Sequence, residues 1–461
     1  MDWSSATDIA AAVARGQNAL SIVEAALARI AAGDKSLNSF TAVVVDRARA
    51  KARAIDDARA AGKPLGPLAG VPFAVKNLFD IAGLATVAGS KINRDLPPAT
   101  SDATLIERLE AADAVLVGAL NMGEYAYDFT GENSHDGPSR NPHDLSRMTG
   151  GSSGGSGGAI AGGLVPISLG SDTNGSIRVP SSFCGIFGLK PTYGRLSRAR
   201  TFPFVGAFDH LGPFARNVTD LALAYDAMQG PDSEDPVCAE RPAEPAALLL
   251  DQGLKGLRIA VAGGYFRKGA SPEAHEAVAR IAAALDAKRE IEFPEAERAR
   301  SAGYIITATE GAALHLDRLR KRANDFDPAV RDRLIAGAMV PSALVVHAQK
   351  FRRWYRDRVL ELFKEVDVIL APATPCTAPL IGQKTFVLDG KEMPLRPNIG
   401  IYTQPISFIG LPVVAIPVPL KPLPIAVQVI AAPWREDLAL RVAYALERSG
   451  VAAAPRPVTA P

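Results

Sequence analysis

Two stretches carry residue types that could do chemistry together. One runs from the cluster Gly150-Gly151-Ser152-Ser153-Gly154-Gly155-Ser156-Gly157-Gly158, through a small-residue and apolar run, to Ser171-Asp172-Thr173-Asn174-Gly175-Ser176-Ile177-Arg178. The other, Gly70-Val71-Pro72-Phe73-Ala74-Val75-Lys76-Asn77, ends a short apolar segment on a lysine. Residues 159–169 predict a buried helix and then a buried strand. Ser176 follows that strand in a turn with Gly175, where neighbouring N–H groups can face a developing oxyanion. A serine hydroxyl is a weak nucleophile unless a base takes its proton. Lys76 can supply that base: burial disfavours the ammonium form and lowers a lysine's pKa. A phosphate-binding loop would require a Gly-Lys-Ser/Thr ending, which is absent. A flexible linker would not run directly into an apolar segment. The nearby opposite charges of Asp172 and Arg178 suggest a structural pair.

Together these pieces resemble the amidase signature family. Flanking matches are Cys184-Gly185-Ile186-Phe187-Gly188-Leu189-Lys190-Pro191-Thr192 and Asp209-His210-Leu211-Gly212-Pro213, with Thr403-Gln404-Pro405 and Gly410-Leu411-Pro412 near the C-terminal end. The resemblance covers nearly the whole chain and is most specific between Gly70 and Arg216. It implies an α/β fold, a central mixed β-sheet covered by helices on both faces, with no metal or organic cofactor. It implies a Ser-cisSer-Lys triad of Ser176 (nucleophile), Ser152 (proton relay, in a cis peptide) and Lys76 (neutral base). The implied oxyanion hole is formed by the backbone N–H groups of Thr173, Asn174, Gly175 and Ser176. Ser153 and Ser156 are expected to be structural hydrogen-bonders. Apart from His210 in the flanking match, no histidine lies in a matching motif, so a Ser-His-Asp arrangement is unsupported. Asn174 departs from the family, since many members have glycine there. Its N–H survives, and its side chain would narrow the cleft in favour of a small, polar amide.

Within the family the pattern resembles the members that hydrolyse 1-carboxybiuret in cyanuric acid and s-triazine breakdown. It also resembles the glutamine-hydrolysing catalytic component of glutamyl-tRNA(Gln) amidotransferase. The Asn174 variant and the arginine-rich region favour the former. A general amidase and a non-catalytic scaffold are the other readings; retention of Lys76, Ser152 and Ser176 argues against the scaffold. Both relatives imply a small helical partner protein, and a homodimer or heterotetramer is expected.

The elements that must position these residues follow the chain. With 461 residues, a single amidase signature domain is expected. Its parts are an N-terminal helical hairpin and flank (1–62), a catalytic core (63–230), a variable substrate region (231–365), the C-terminal part of the core (366–450) and a disordered tail (451–461). The hairpin is read as two helices, 8–15 and one starting at Ser21 with a Ser21–Glu24 capping box. Strands are expected at 40–45, 73–75, 114–118, 257–262, 290–293, 366–371 and 425–430, and helices at 46–61, 103–112, 274–286, 304–349 and 437–448. Met122, Tyr125 and Phe129 could line a pocket or pack in the core. His135 and His143 are isolated and are not read as ligands. Of the arginines at 318, 320, 322, 331 and 333, one could hold a substrate carboxylate through a bidentate contact, with Arg320 and Arg331 as candidates.

Charge is balanced at +2 with no basic stripe, so direct nucleic-acid binding is not expected. Cys184, Cys238 and Cys376 are widely spaced, without metal-type spacing, which fits a reducing cytoplasm. The first residues lack a secretory pattern, and no run of about 18 apolar residues predicts a membrane span.

Overall fold

The computed structural model describes residues 3–457. Eleven strands form one sheet: β1 (Phe40–Val43), β2 (Pro72–Lys76), β3 (Val115–Leu120), β4 (Ile167–Asp172), β5 (Phe187–Lys190), β6 (His210–Ala215), β7 (Ile259–Ala262), β8 (Arg289–Ile291), β9 (Val368–Pro372), β10 (Val413–Val418) and β11 (Ile425–Ala431). Their order across the sheet is β1-β3-β2-β4-β6-β5-β10-β11-β9-β7-β8. Strand β2 runs parallel to both β3 and β4, whereas β4 and β6 are antiparallel, so the sheet is mixed. Every residue of β2, β3, β4, β6 and β11 is buried, as is every residue of β10. Side chains alternate between the faces of a strand, so complete burial means that both faces are covered there. This is the mixed α/β sheet expected from sequence.

The glycine cluster itself enters the helix expected after it. Residues Gly154–Ala161 are helical. Glycine there serves close approach: a Cβ on Gly155 would lie 2.4 Å from Ser39 O and 2.6 Å from Asn121 N. The helix is therefore pressed against backbone, and the loop before it is fixed in place.

At the N-terminal end the helices are Ala6–Ala14 and Ala19–Leu37, the second burying Ile22, Val23, Ala26, Leu27 and Ile30 as its periodicity predicts. The capping box sits on the first helix. Ser5 Oγ accepts from Asp8 N (2.9 Å), and the Asp8 carboxylate accepts from Ser5 N (3.3 Å). Ser21 lies inside the second helix and donates to Asn18 O, while Glu24 pairs with Arg49 across to the next helix, so the expected Ser21–Glu24 box does not form.

The arginine-rich stretch resolves into the helices Ala296–Arg322, Pro328–Ala338 and Ser342–Leu362. Residues 451–457, expected as disordered tail, are packed down: Ala452 is buried, Ala453 N donates to Pro417 O, and Arg456 lies over the Trp3 ring. Residues 458–461 of that expected tail lie outside the described residues. No single helix among the described residues is long and apolar enough to cross a membrane.

Candidate active site

Lys76 ends β2, and its side chain is fully buried. Its Nζ donates to Ser152 Oγ (2.6 Å) and to Ser171 Oγ (2.8 Å). Burial brings its pKa down to about 7, against the pull of the carboxylates of Asp209, Asp172 and Asp128. Near neutrality a large fraction of Lys76 is thus an amine able to accept a proton.

Ser152 follows a cis Gly151–Ser152 peptide bond. The loop around it is tied down by backbone bonds: Gly151 N donates to Phe129 O (2.8 Å) and Gly123 N to Ser152 O (3.1 Å). Asp128 supports it from behind. Its Oδ2 accepts from Thr130 N and Gly131 N, and its Oδ1 pairs with Arg396. Ser153 Oγ and Ser156 Oγ donate to the carbonyls of Ser171 and Leu169, which fastens the glycine-rich helix to β4.

Ser176 lies in the turn after β4. Asp172 and Arg178 hold the two ends of this turn by a fully buried bidentate pair, Nε to Oδ2 and Nη2 to Oδ1, both 2.9 Å. Burial alone would raise the Asp172 pKa, but the Arg178 guanidinium outweighs it and holds the carboxyl well below its ordinary range. Ile177 N also donates to Asp172 Oδ2, and Arg178 Nη1 reaches Gln428 Oε1 and Thr403 O. Among the described residues, none of the backbone N–H groups of Thr173, Asn174, Gly175 and Ser176 donates to another backbone group or to a side chain. Four donors beside a serine hydroxyl are thus available to an external oxygen.

The Asn174 side chain does not point freely into the cleft. Its Nδ2 donates to Thr307 Oγ1 (3.0 Å) on the helix Ala296–Arg322, and its backbone carbonyl accepts from Thr403 Oγ1 (2.6 Å).

Ser176 borders a narrow cleft whose walls include Phe129, Asn174, Phe204, Tyr304, Thr307 and Arg333. A larger cavity of about 250 Å³ adjoins it, sharing Ala126 and Phe204 and reaching Ser171. Of the candidate pocket residues, Phe129 lines the cleft, whereas Met122 and Tyr125 do not. Met122 is core, and the Tyr125 ring packs against His315 and Phe202 while its hydroxyl donates to Asn93 Oδ1. The candidates Arg320 and Arg331 are likewise absent from the cleft walls. Arg320 is exposed near Asp317, and Arg331 pairs with its neighbour Asp332.

Arg333 is the arginine of this region that lines the cleft. Residues two apart on a helix project about 200° apart, so Arg331 and Arg333 cannot serve the same wall. Arg333 stacks over the Tyr127 ring with its guanidinium carbon 3.7 Å from the centroid, donates from Nε to Ala329 O, and reaches Tyr127 O with Nη2. Ser171, the second partner of Lys76, is a site residue that the motifs alone do not single out. Its place at the head of the Ser171–Arg178 stretch that carries Ser176 is the sequence signal for it.

The amidase family model matches residues 21–440. The 1-carboxybiuret hydrolase subunit AtzE of Pseudomonas sp. (strain ADP) is 56% identical, over 96% of this chain and 98% of its own length. A glutamyl-tRNA(Gln) amidotransferase component of Anaeromyxobacter dehalogenans (strain 2CP-C) is 38% identical, over 95% of this chain and 94% of its own length. A solved structure described as an unexpected vestigial protein complex that reveals the evolutionary origins of an s-triazine catabolic enzyme superposes with a TM-score of 0.97. It is 55% identical and covers 98% of this chain and 100% of that one. On these matches the chain belongs to the amidase signature family.

Proposed function

We propose that this chain is an amide hydrolase that removes ammonia from 1-carboxybiuret through a Ser176 acyl-enzyme. The observation that carries the chemistry is the buried Lys76 amine, hydrogen-bonded to Ser152 Oγ and to Ser171 Oγ on the strand that leads into the Ser176 turn. The substrate follows from the near full-length likeness to AtzE.

In the first half-reaction Ser176 Oγ attacks the amide carbon while Ser152 takes its proton and passes its own to Lys76. The carbonyl oxygen becomes negative and accepts hydrogen bonds from the amides of residues 173–176. Each such donor contributes on the order of 10²–10³ in rate. Collapse breaks the C–N bond, and the proton returns through Ser152 to the leaving nitrogen, which departs as ammonia. Water repeats the cycle on the ester, regenerating Ser176 and leaving a carboxylate. Arg333 offers a planar cation to the substrate's own carboxylate, and Tyr304 and Asn174 wall the same narrow cleft. AtzE is itself one component of its hydrolase, which supports a partner protein for this chain as well.

The test is ammonia release by purified protein from 1-carboxybiuret generated in situ, biuret, allophanate, glutamine and aryl amides, with Ser176→Ala as control. Release from 1-carboxybiuret, abolished in the variant, is expected. Release from glutamine instead would move the assignment to the amidotransferase reaction, and activity on aryl amides alone would remove the substrate claim.

A further inference from the structure

We propose that Thr403 is a positioning residue for the oxyanion site: its hydroxyl fixes the plane of the Asn174–Gly175 peptide and thereby aims the Gly175 N–H. This rests on the reading of Ser176 as nucleophile.

The geometry is built from a single peptide unit. Thr403 Oγ1 donates to the Asn174 carbonyl at 2.6 Å; its other acceptor in reach, Gly400 O, is farther at 3.1 Å. The Asn174–Gly175 bond is trans, since the cis bonds among the described residues are Gly151–Ser152 and Lys421–Pro422. In a planar trans peptide, C=O and N–H point in opposite directions. A carbonyl held toward Thr403 therefore turns the Gly175 N–H away from Thr403.

Gly175 has φ of +141°, a conformation that leaves its flanking peptide planes poorly restrained by local sterics. Val179 N donates to Gly175 O (2.7 Å) and holds the 175–176 plane, so the 174–175 plane is the one left to a contact from outside the turn. Thr403 supplies that contact at close quarters, since a Cβ on Gly175 would lie 2.3 Å from Thr403 Oγ1.

Thr403 is itself well anchored. It is fully buried, its N–H donates to Gly400 O (3.2 Å), and its carbonyl accepts from Arg178 Nη1 (3.0 Å). Arg178 in turn grips Asp172 at the start of the same turn. The turn is thus braced at its entrance by Arg178 and at its centre by Thr403. Without the hydroxyl, the Asn174 carbonyl loses its hydrogen bond, and rotation of the 174–175 plane would swing the N–H off the oxyanion position. That donor acts in the transition state more than in the ground state, so its loss falls on kcat.

The experiment compares Thr403→Val, which keeps the shape and removes the hydroxyl, with Thr403→Ser, which keeps the hydroxyl. The readout is the second-order rate of Ser176 labelling by an alkyl fluorophosphonate, whose phosphoryl oxygen takes the oxyanion position, alongside kcat and KM. Thr403→Val should slow labelling and kcat on the order of 10²-fold, the weight of one such donor, with KM within about twofold. Thr403→Ser should restore both to within a few-fold of wild type. Thr403→Ala against Thr403→Ser makes the same comparison without valine's bulk, should valine prevent folding. Equal rates for the variants with and without the hydroxyl would overturn the proposal. Failure of the wild type to label at Ser176 would instead strike the nucleophile assignment, and the two failures are read from separate lanes of one experiment.

Discussion

Replacing Lys76 by methionine should change how stability depends on pH, by an amount set by the burial of one amine. In the unfolded chain the lysine holds its proton up to its ordinary value of 10.5, whereas in the fold burial brings the value down to about 7. Between these limits the unfolded state binds the extra proton. Wild-type stability therefore rises with pH across that window, with a slope from this residue of about 1.36 kcal/mol per pH unit. Over the whole window the contribution is on the order of 5 kcal/mol. Methionine has no such slope. It also removes the hydrogen bonds to Ser152 and Ser171, each such loss amounting to about 1–3 kcal/mol. That loss is independent of pH, so it moves the offset between the two proteins and leaves the slope untouched. Lys190, also brought down to about 7 by burial and by Arg178, adds its own slope to both proteins and cancels in the difference. The assay is guanidinium chloride denaturation of both proteins at pH 6, 7.5, 9 and 10.5, followed by tryptophan fluorescence. The stability of Lys76→Met relative to wild type should be most favourable at pH 6 and decline steadily towards pH 10.5. A flat difference would refute the claim that the fold holds Lys76 as a neutral amine near neutral pH. On the proposed mechanism the same amine is the base, so wild-type kcat/KM should rise with pH through about 7 as Lys76 loses its proton.

Two further outcomes follow from neighbouring groups. Asp172→Asn strands the Arg178 charge in a fully buried site and should destabilise the protein by about 3–5 kcal/mol, measured as a lowered denaturation midpoint; an unchanged midpoint would mean that the pair contributes nothing to the fold. Arg333→Lys keeps a positive charge but loses the planar fork, so KM for the carboxylated substrate should rise about 10-fold or more. Activity towards biuret, which lacks the carboxylate, should be nearly unaffected, and an equal loss on both would show that Arg333 shapes the cleft without reading the carboxylate.

What can be read from the chain differs from region to region, for physical reasons. The strand Pro72–Lys76 is legible because a proline-flanked apolar run ending in a polar residue has few alternatives. The Asp172–Arg178 pair is legible because opposite charges six residues apart bracket a turn. The capping box is misplaced by sequence because Ser21-x-x-Glu24 and Ser5-x-x-Asp8 carry the same local signal. The choice between them depends on where the start of the second helix meets Asp56: the Ala19 and Leu20 amides donate to the Asp56 carboxylate, which caps that helix from a distant segment. The choice among Arg320, Arg331 and Arg333 depends on which helical face meets the cleft, a tertiary fact that composition does not carry. Thr403 is visible only as part of a motif. Its contact with residue 174 spans 229 positions in the chain, and no local pattern reports it.

The hydrogen bond from Asn174 to Thr307 joins the turn that carries Ser176 to a helix of the region expected to vary with substrate. Exchange of residues 231–365 between relatives would therefore not be a neutral graft. A donor segment lacking a hydroxyl at the position of Thr307 would leave the Asn174 amide without its acceptor, while one bringing a bulkier side chain would push against the turn itself. Recombination within this lineage is thus expected to carry positions 174 and 307 as a linked pair, inherited or lost together.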